Sequence, residues 1–209
     1  NIKSQEDNME KKIIYGNDNF GYALIDSSEE TLKFSAPVLM PGMKSSTIEV
    51  EEGSTKIYAD NTTFAIITGE KVRTCEATVT YIPESYYTNC LGYKANTNGM
   101  LTDTGTKKPH CFFFTTNELN AVTGEETQTL HYVYDVTAKE PNLETSTVED
   151  EIEAADLVIS YESKRSDFVK DTDGKLVGYA RITRTESNKT WFDTFKTKVL
   201  LPTDVVSGG

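Results

Sequence analysis

Val72-Arg73-Thr74-Cys75-Glu76-Ala77-Thr78-Val79-Thr80-Tyr81-Ile82 alternates between two kinds of residue from Thr74 to Tyr81. Cys75, Ala77, Val79 and Tyr81 fall on one side at period 2, and Thr74, Glu76, Thr78 and Thr80 fall on the other. A strand with one face in a core and one in water produces that period; a helix does not. The same pattern recurs along the chain. Leu130, Tyr132, Tyr134, Val136 and Ala138 oppose His131, Val133, Asp135, Thr137 and Lys139. Within Ala155–Glu162, Leu157, Ile159 and Tyr161 oppose Asp156, Val158, Ser160 and Glu162. Within Leu176–Arg184, Val177, Tyr179, Arg181 and Thr183 oppose Leu176, Gly178, Ala180, Ile182 and Arg184. Phe20–Ile25, Thr47–Glu51, Phe64–Thr68 and Cys111–Thr115 are shorter candidates.

Two segments break the alternation. Pro83-Glu84-Ser85-Tyr86-Tyr87-Thr88-Asn89-Cys90-Leu91-Gly92 places Pro at a helix start and Gly past its end, with Tyr87, Cys90 and Leu91 on one face. Asn188–Val199 predicts a second helix, capped by Ser187 or Asn188, with a face of Trp191, Phe195 and Val199. Two connections, Glu51–Asn61 and Glu140–Glu153, read as long polar acidic loops, and such loops in a small domain are usually functional. The fold class expected is therefore mainly β. It is an antiparallel sandwich or half-barrel with two short flanking helices and long loops. The domain spans 13–202, between an N-terminal arm (1–12) and a flexible C-terminal tail (203–209).

Composition narrows the function classes. The 209 residues include 11 Tyr and 9 Phe, which suit half-buried pleated surfaces. Lys and Arg number 21 against 33 Asp and Glu, a formal charge of −12. Gripping nucleic acid needs Lys and Arg to neutralise phosphates, and no basic run here exceeds a pair. No apolar run approaches the roughly 20 residues of a membrane span. The polar stretch Asn1–Lys12 is no signal-peptide core, and Met9 shortly precedes the first strand-like residues, Ile13-Ile14-Tyr15.

The motifs that could carry chemistry each have a plainer reading. Cys75, Cys90 and Cys111 are widely spaced, without a C-x-x-C pair, and read as buried thiols. His110 and Cys111 are neighbours on a strand and point to opposite faces, so with His131 they do not make a tetrahedral metal site. Asp171-Thr172-Asp173-Gly174 opens like a calcium loop but lacks the later ligands, and Asp-Gly between strand-like runs is a hairpin turn. No Gly-x-Ser-x-Gly or phosphate-cradling Gly-rich loop is present. The sequons at Asn61 and Asn188 carry little meaning without a secretion signal. The reading is a self-assembling structural protein, with neither catalysis nor a cofactor.

Taken in order, the segments resemble the major tail proteins of long-tailed, non-contractile phages of Gram-positive hosts. The residues that carry the resemblance are Ile13-Ile14-Tyr15-Gly16, Phe20-Gly21-Tyr22-Ala23, Pro41-Gly42 before Ser46-Thr47-Ile48-Glu49-Val50, and Thr55-Lys56-Ile57-Tyr58-Ala59-Asp60-Asn61. They continue through the Pro83–Gly92 helix, Asn98-Gly99-Met100-Leu101, Lys108-Pro109, Glu144-Thr145-Ser146-Thr147, Trp191-Phe192-Asp193 and Leu201-Pro202. The likeness runs from about 13 to 202. Order and spacing carry it, not any single motif, and no recognised part of it falls in residues 1–8.

The resemblance implies subunits that form stacked hexameric rings around a channel crossed by double-stranded DNA at ejection. Partners would be copies of itself, the tape-measure protein, the tail terminator and distal tail or baseplate proteins. The location would be the virion tail, after assembly in the bacterial cytoplasm. Four strands from each of six subunits give a backbone diameter of roughly 48 Å, wide enough for a duplex. Thr74, Glu76, Thr78 and Thr80 are the expected lumen-facing set, with Asp135 and Glu162 as additions. Glu51, Glu52, Lys56, Tyr58, Asp60 and Asn61, with Glu144, Glu149 and Asp150, are the expected ring-stacking residues. The competing readings are a carbohydrate-binding β-sandwich adhesin, the inner tube of a contractile particle, and a hydrolase built on scattered carboxylates.

Overall fold

The computed structural model describes residues 11–26, 33–143, 156–163 and 166–204. Antiparallel strands dominate: β1 (Lys12–Asp26), β2 (Lys33–Phe34), β3 (Val38–Leu39), β4 (Met43–Ala59), β5 (Thr62–Val79), β6 (Lys94–Ala95), β7 (Leu101–Thr102), β8 (His110–Asn120), β9 (Glu126–Ala138), β10 (Leu157–Ser163) and β11 (Tyr179–Thr183). The helical pieces are α1 (Glu84–Asn89) and α2 (Lys189–Phe192), the latter running into a 3-10 turn over Asp193–Lys196. The main sheet runs β2-β1-β8-β9-β10-β5-β4 and is open at both ends. β3 is added to β1, and β11 lies beside the N-terminal half of β9. The expected mainly β, half-barrel architecture with two short helices is what the chain adopts.

The sheet separates two cores. Along β8, Phe112 and Phe114 enter the first core and Cys111 and Phe113 the second, the period-2 alternation of a strand covered on both faces. The first core collects Cys75, Ala77 and Val79 of β5, Ile159 and Tyr161 of β10, Phe20 and Tyr22 of β1, and Tyr86 and Cys90 of α1. The curled sheet wraps around it, and α1 fills the concavity. The second core lies on the outer face of β1, β8 and β9, under Phe192, Phe195, Val199 and Leu200.

β9 departs from the simple alternation. Its register against β8 slips between His110 and Phe112, so that Phe112 pairs with Val133 while His110 pairs with Val136. The extra residue reverses the facing of everything after it. Leu130, Tyr132 and Tyr134 therefore enter the second core, whereas Val136 and Ala138 join Val133 in the first. Single-sided alternation through Ala138 was the expectation; the bulge divides that set between two cores. Asp135, inside the bulge, is 8% exposed.

Other boundaries also differ from the sequence reading. The strand around Cys75 ends at Val79, where the Thr80 N–H donates to the Gly42 carbonyl at 2.9 Å. Tyr81 is consequently 58% exposed, while Ile82 is buried. On α1 the buried residues are Tyr86, Cys90 and Leu91. The helix starts directly after Pro83 and has six residues, so the i, i+4 pair facing the sheet is Tyr86 and Cys90, and Tyr87 packs on the Tyr93 ring at the margin. The second helix is far shorter than Asn188–Val199. Thr194 Oγ1 donates to the Trp191 carbonyl at 2.7 Å and Thr197 Oγ1 to the Thr194 carbonyl at 2.9 Å. Hydroxyls that take carbonyls in this way weaken a regular helix. The three-residue repeat of a 3-10 turn then brings Phe192 and Phe195 to the same side.

Candidate functional site

The expected loop Glu51–Asn61 is not a loop. β4 and β5 pair from Met43/Val79 out to Ala59/Thr62, and the connection is the two residues Asp60 and Asn61, with φ of +49° and +60°. Two left-handed residues joining two strands match the twist of a hairpin, and Asn and Asp tolerate that conformation better than other non-glycine residues. Lys56, Tyr58, Asp60 and Asn61 therefore sit on the arm and tip of a long ribbon, with Glu51 and Glu52 at its base. Glu52 and Lys71 face each other there at 3.8 Å. Beyond this base both ribbon faces are exposed, and they carry Ile57, Tyr58 (68% exposed), Phe64 (74%), Ile66 and Ile67. Sequence reading missed this apolar content. The strand expected over Phe64–Thr68 is there, as part of β5, but its consecutive apolar residues Phe64-Ala65-Ile66-Ile67 were the unused signal that it is not a half-buried strand.

The second feature is the face of β5 turned away from the first core. Register sets its composition, because residues directly opposite on antiparallel strands share a face. Thr74 lies between Glu49 of β4 and Glu162 of β10, and Glu162 pairs onward with Thr137 of β9. Glu76 lies between Thr47 and Ser160, and Thr78 between Ser45 and Val158. Four strands thus present hydroxyls and carboxylates, backed by Cys75, Ala77, Val79, Ile159 and Tyr161 in the core. Ser160 Oγ donates to Glu76 at 3.5 Å, and Lys139 pairs with Glu162 at 2.6 Å. The like charges Glu49 and Glu162 are separated by the Thr74 column, about 9–10 Å at ordinary strand spacing. At physiological salt that separation is near one screening length, so the repulsion across it is weak.

Thr74, Glu76, Thr78 and Glu162 are brought together on this face. Thr80 lies just beyond the strand end, and Asp135 is buried at the β9 bulge. Glu144, Glu149 and Asp150 lie outside the described residues. Sequence reading missed Ser45, Thr47, Glu49 and Ser160, because each belongs to the face only through its pairing partner.

The motifs set aside on sequence are also placed. His110 and Cys111 enter opposite cores. His110 Nδ1 is 3.0 Å from the Lys108 carbonyl, and His131 lies between Thr116 Oγ1 at 3.0 Å and the Tyr179 hydroxyl at 2.8 Å. Burial pushes the Cys75 thiol up to about 12, away from reactive thiolate. Asp171 Oδ1 accepts the N–H groups of Asp173 and Lys175, and Gly174 has a φ of +77°, so this carboxylate closes a turn. Among the described residues no group of three or more His, Cys, Asp or Glu is placed to hold a metal. No described helix is long and apolar enough to cross a membrane.

A comparison with curated proteins finds no match. A family model described as phage tail tube protein matches residues 3–208, nearly the whole chain. That family's role is structural, in the tail of the virion, where its members associate with one another and with other tail components. An antiparallel sheet with an open polar face and a protruding ribbon is an architecture suited to that role, and the chain belongs to the phage tail tube protein family.

Proposed function

We propose that this chain is the subunit of a non-contractile phage tail tube, assembling into hexameric rings that stack around a channel for double-stranded DNA. The open face of β4, β5, β9 and β10 lines that channel, with Thr74, Glu76, Thr78, Glu162 and their partners Ser45, Thr47, Glu49 and Ser160 towards the lumen. The observation that carries the reading is this face, rich in hydroxyls and carboxylates and backed by a continuous core. Such a surface offers phosphates almost no cationic partner, and six chains carry six times −12, a formal −72. DNA would slide past rather than adhere.

Two features support self-assembly. β4 ends the strand order, so the outer backbone groups of a 17-residue strand are open to pairing with another copy. The β4–β5 ribbon carries large apolar side chains that its own subunit leaves exposed, as expected of a surface that meets a neighbour. The ribbon thus takes the ring-contact role that the sequence assigned to a loop. The tape-measure, terminator and distal tail proteins are the further partners this reading implies.

Negative-stain microscopy of concentrated protein tests it: rings or tubes with a central channel are expected, and only monomers at high concentration would overturn it. A variant with 53–69 replaced by a two-residue turn should fold but fail to make tubes. Tubes of normal length from that variant would remove the ribbon from the assembly.

A further inference from the structure

The β6–β7 hairpin follows α1 and precedes β8 in the chain, pairs as a separate two-stranded sheet, and belongs to neither the polar face nor the ribbon. Its tip, Asn96-Thr97-Asn98-Gly99-Met100, is exposed throughout. The sequence contains a single Asn-Gly pair, and it is Asn98-Gly99. Three hydrogen bonds shape the tip. Asn96 N–H donates to the Met100 carbonyl at 2.9 Å, Gly99 N–H to the Asn96 carbonyl at 2.9 Å, and Met100 N–H to the Asn98 side-chain oxygen Oδ1 at 3.1 Å.

We propose that Asn98 is a site of spontaneous backbone modification, converting through a cyclic imide to a mixture of isoaspartate and aspartate. The attacking atom is the Gly99 main-chain nitrogen, which loses its proton to solvent base and forms a bond to Asn98 Cγ. The Cγ–Nδ2 bond then breaks, the nitrogen leaves as ammonia, and a five-membered ring closes. Water opens the ring at either carbonyl. Breaking the bond from the main-chain carbonyl to nitrogen gives isoaspartate; breaking the Cγ–N bond gives aspartate. The net change is one water consumed, one ammonia released and one carboxylate gained, and no oxidant or reductant enters.

Three observations favour this position. The contact from Met100 N–H to Oδ1 polarises the side-chain carbonyl and is placed to stabilise the oxyanion that forms when Cγ is attacked. Gly99 brings no side chain to crowd its nitrogen, and a methyl group built there would have no neighbour within 4 Å. Its φ of +82° is one that glycine adopts freely, so the backbone can move towards the ring geometry. The opposing factor is the bond from Gly99 N–H to Asn96, which must open first. It lies in an exposed tip of a two-stranded pair of two residues each, where opening needs no wider unfolding. The other asparagines compare poorly. Asn61 and Asn96 precede threonine, whose branched side chain crowds the nitrogen, and Asn117 sits within the paired length of β8.

The test is peptide mapping by mass spectrometry of the folded full chain, held at mildly alkaline pH and sampled over time. The expected result is the mass gain for replacing an amide NH2 by OH at Asn98, ahead of every other asparagine. It should come with an acidic shift on anion exchange and with methyl transfer to residue 98 by an isoaspartyl methyltransferase. Asn98→Gln, whose imide ring would be six-membered, should lose the early acidic species and keep the fold. The proposal is overturned if another asparagine converts first. It is equally overturned if Asn98 stays intact in the folded chain and converts only in urea, since the turn would then protect it.

Discussion

Nε2 of His110 lies 3.1 Å from the hydroxyl of Tyr86, in the first core where β8 meets α1. Nδ1 faces the Lys108 carbonyl and carries the proton, so Nε2 accepts from Tyr86. The Tyr86 hydroxyl is also 3.3 Å from that of Tyr161, and the rings of Tyr22, Tyr86 and Tyr161 stand edge-on around the imidazole. This contact pins α1 to the sheet with a titratable group that is 0% exposed.

The consequence is a dependence of stability on pH. Burial lowers His110 from 6.5 to about 4, so between those values the unfolded chain binds the proton that the folded chain refuses. The stabilisation is complete above 6.5 and is lost as pH falls towards 4, a difference on the order of 3 kcal/mol. Denaturant titrations across this range should show it, and His110→Gln should flatten the wild-type slope. His131 shifts in the same direction through burial and the nearby Arg181, so the comparison with the variant isolates His110.

Gly21 of β1 meets β3 and β8 at close range. A Cβ built there would lie 2.6 Å from the Val38 carbonyl oxygen and 2.7 Å from Cζ of Phe113. Gly21→Ala forces β3 or the Phe113 ring to move, and overpacking of this kind costs about 1–3 kcal/mol. A fall in thermal midpoint is expected, and an unchanged midpoint would mean that β3 yields freely.

The turn at Asp60 and Asn61 can be separated from the rest of the molecule. Asn61→Val puts a β-branched residue at φ +60°, at a cost of about 1–3 kcal/mol, while Asn61→Gly relieves the same position. Because both faces of the ribbon are exposed, the loss should be local. Amide exchange should speed up over 53–68 in the valine variant and stay unchanged in β8 and β9.

On the polar face, Glu76→Lys replaces an exposed carboxylate between Thr47 and Ser160. Stability should change by less than about 0.5 kcal/mol, as is usual for surface substitutions. If the face lines a channel, tubes of this variant should retain DNA at low salt and release it as salt rises. Equal DNA retention by wild-type and variant tubes would place the face elsewhere.

What was legible in the sequence was whatever depends on neighbours along the chain. Alternation around Cys75 identified a strand with a polar face, and Pro83 and Gly92 bracketed a helix. Opposite facings for His110 and Cys111 followed from strand geometry alone. Asp171 to Gly174 read correctly as a turn. The order of such segments was enough to reveal the family, and the family match runs from 3 to 208.

What the tertiary structure decided was whatever depends on pairing. One extra residue in β9 moved Val136 and Ala138 to the other core and buried Asp135, because register against β8 is not written in β9 itself. Polar composition made 51–61 look like a loop, since nothing local distinguishes a loop from a ribbon that is exposed on both faces. The polar surface that began as four residues of one strand became a face of four strands when β4, β9 and β10 were set beside it. Alternation fixes which residues point together; only cross-strand hydrogen bonding fixes which strands they point beside.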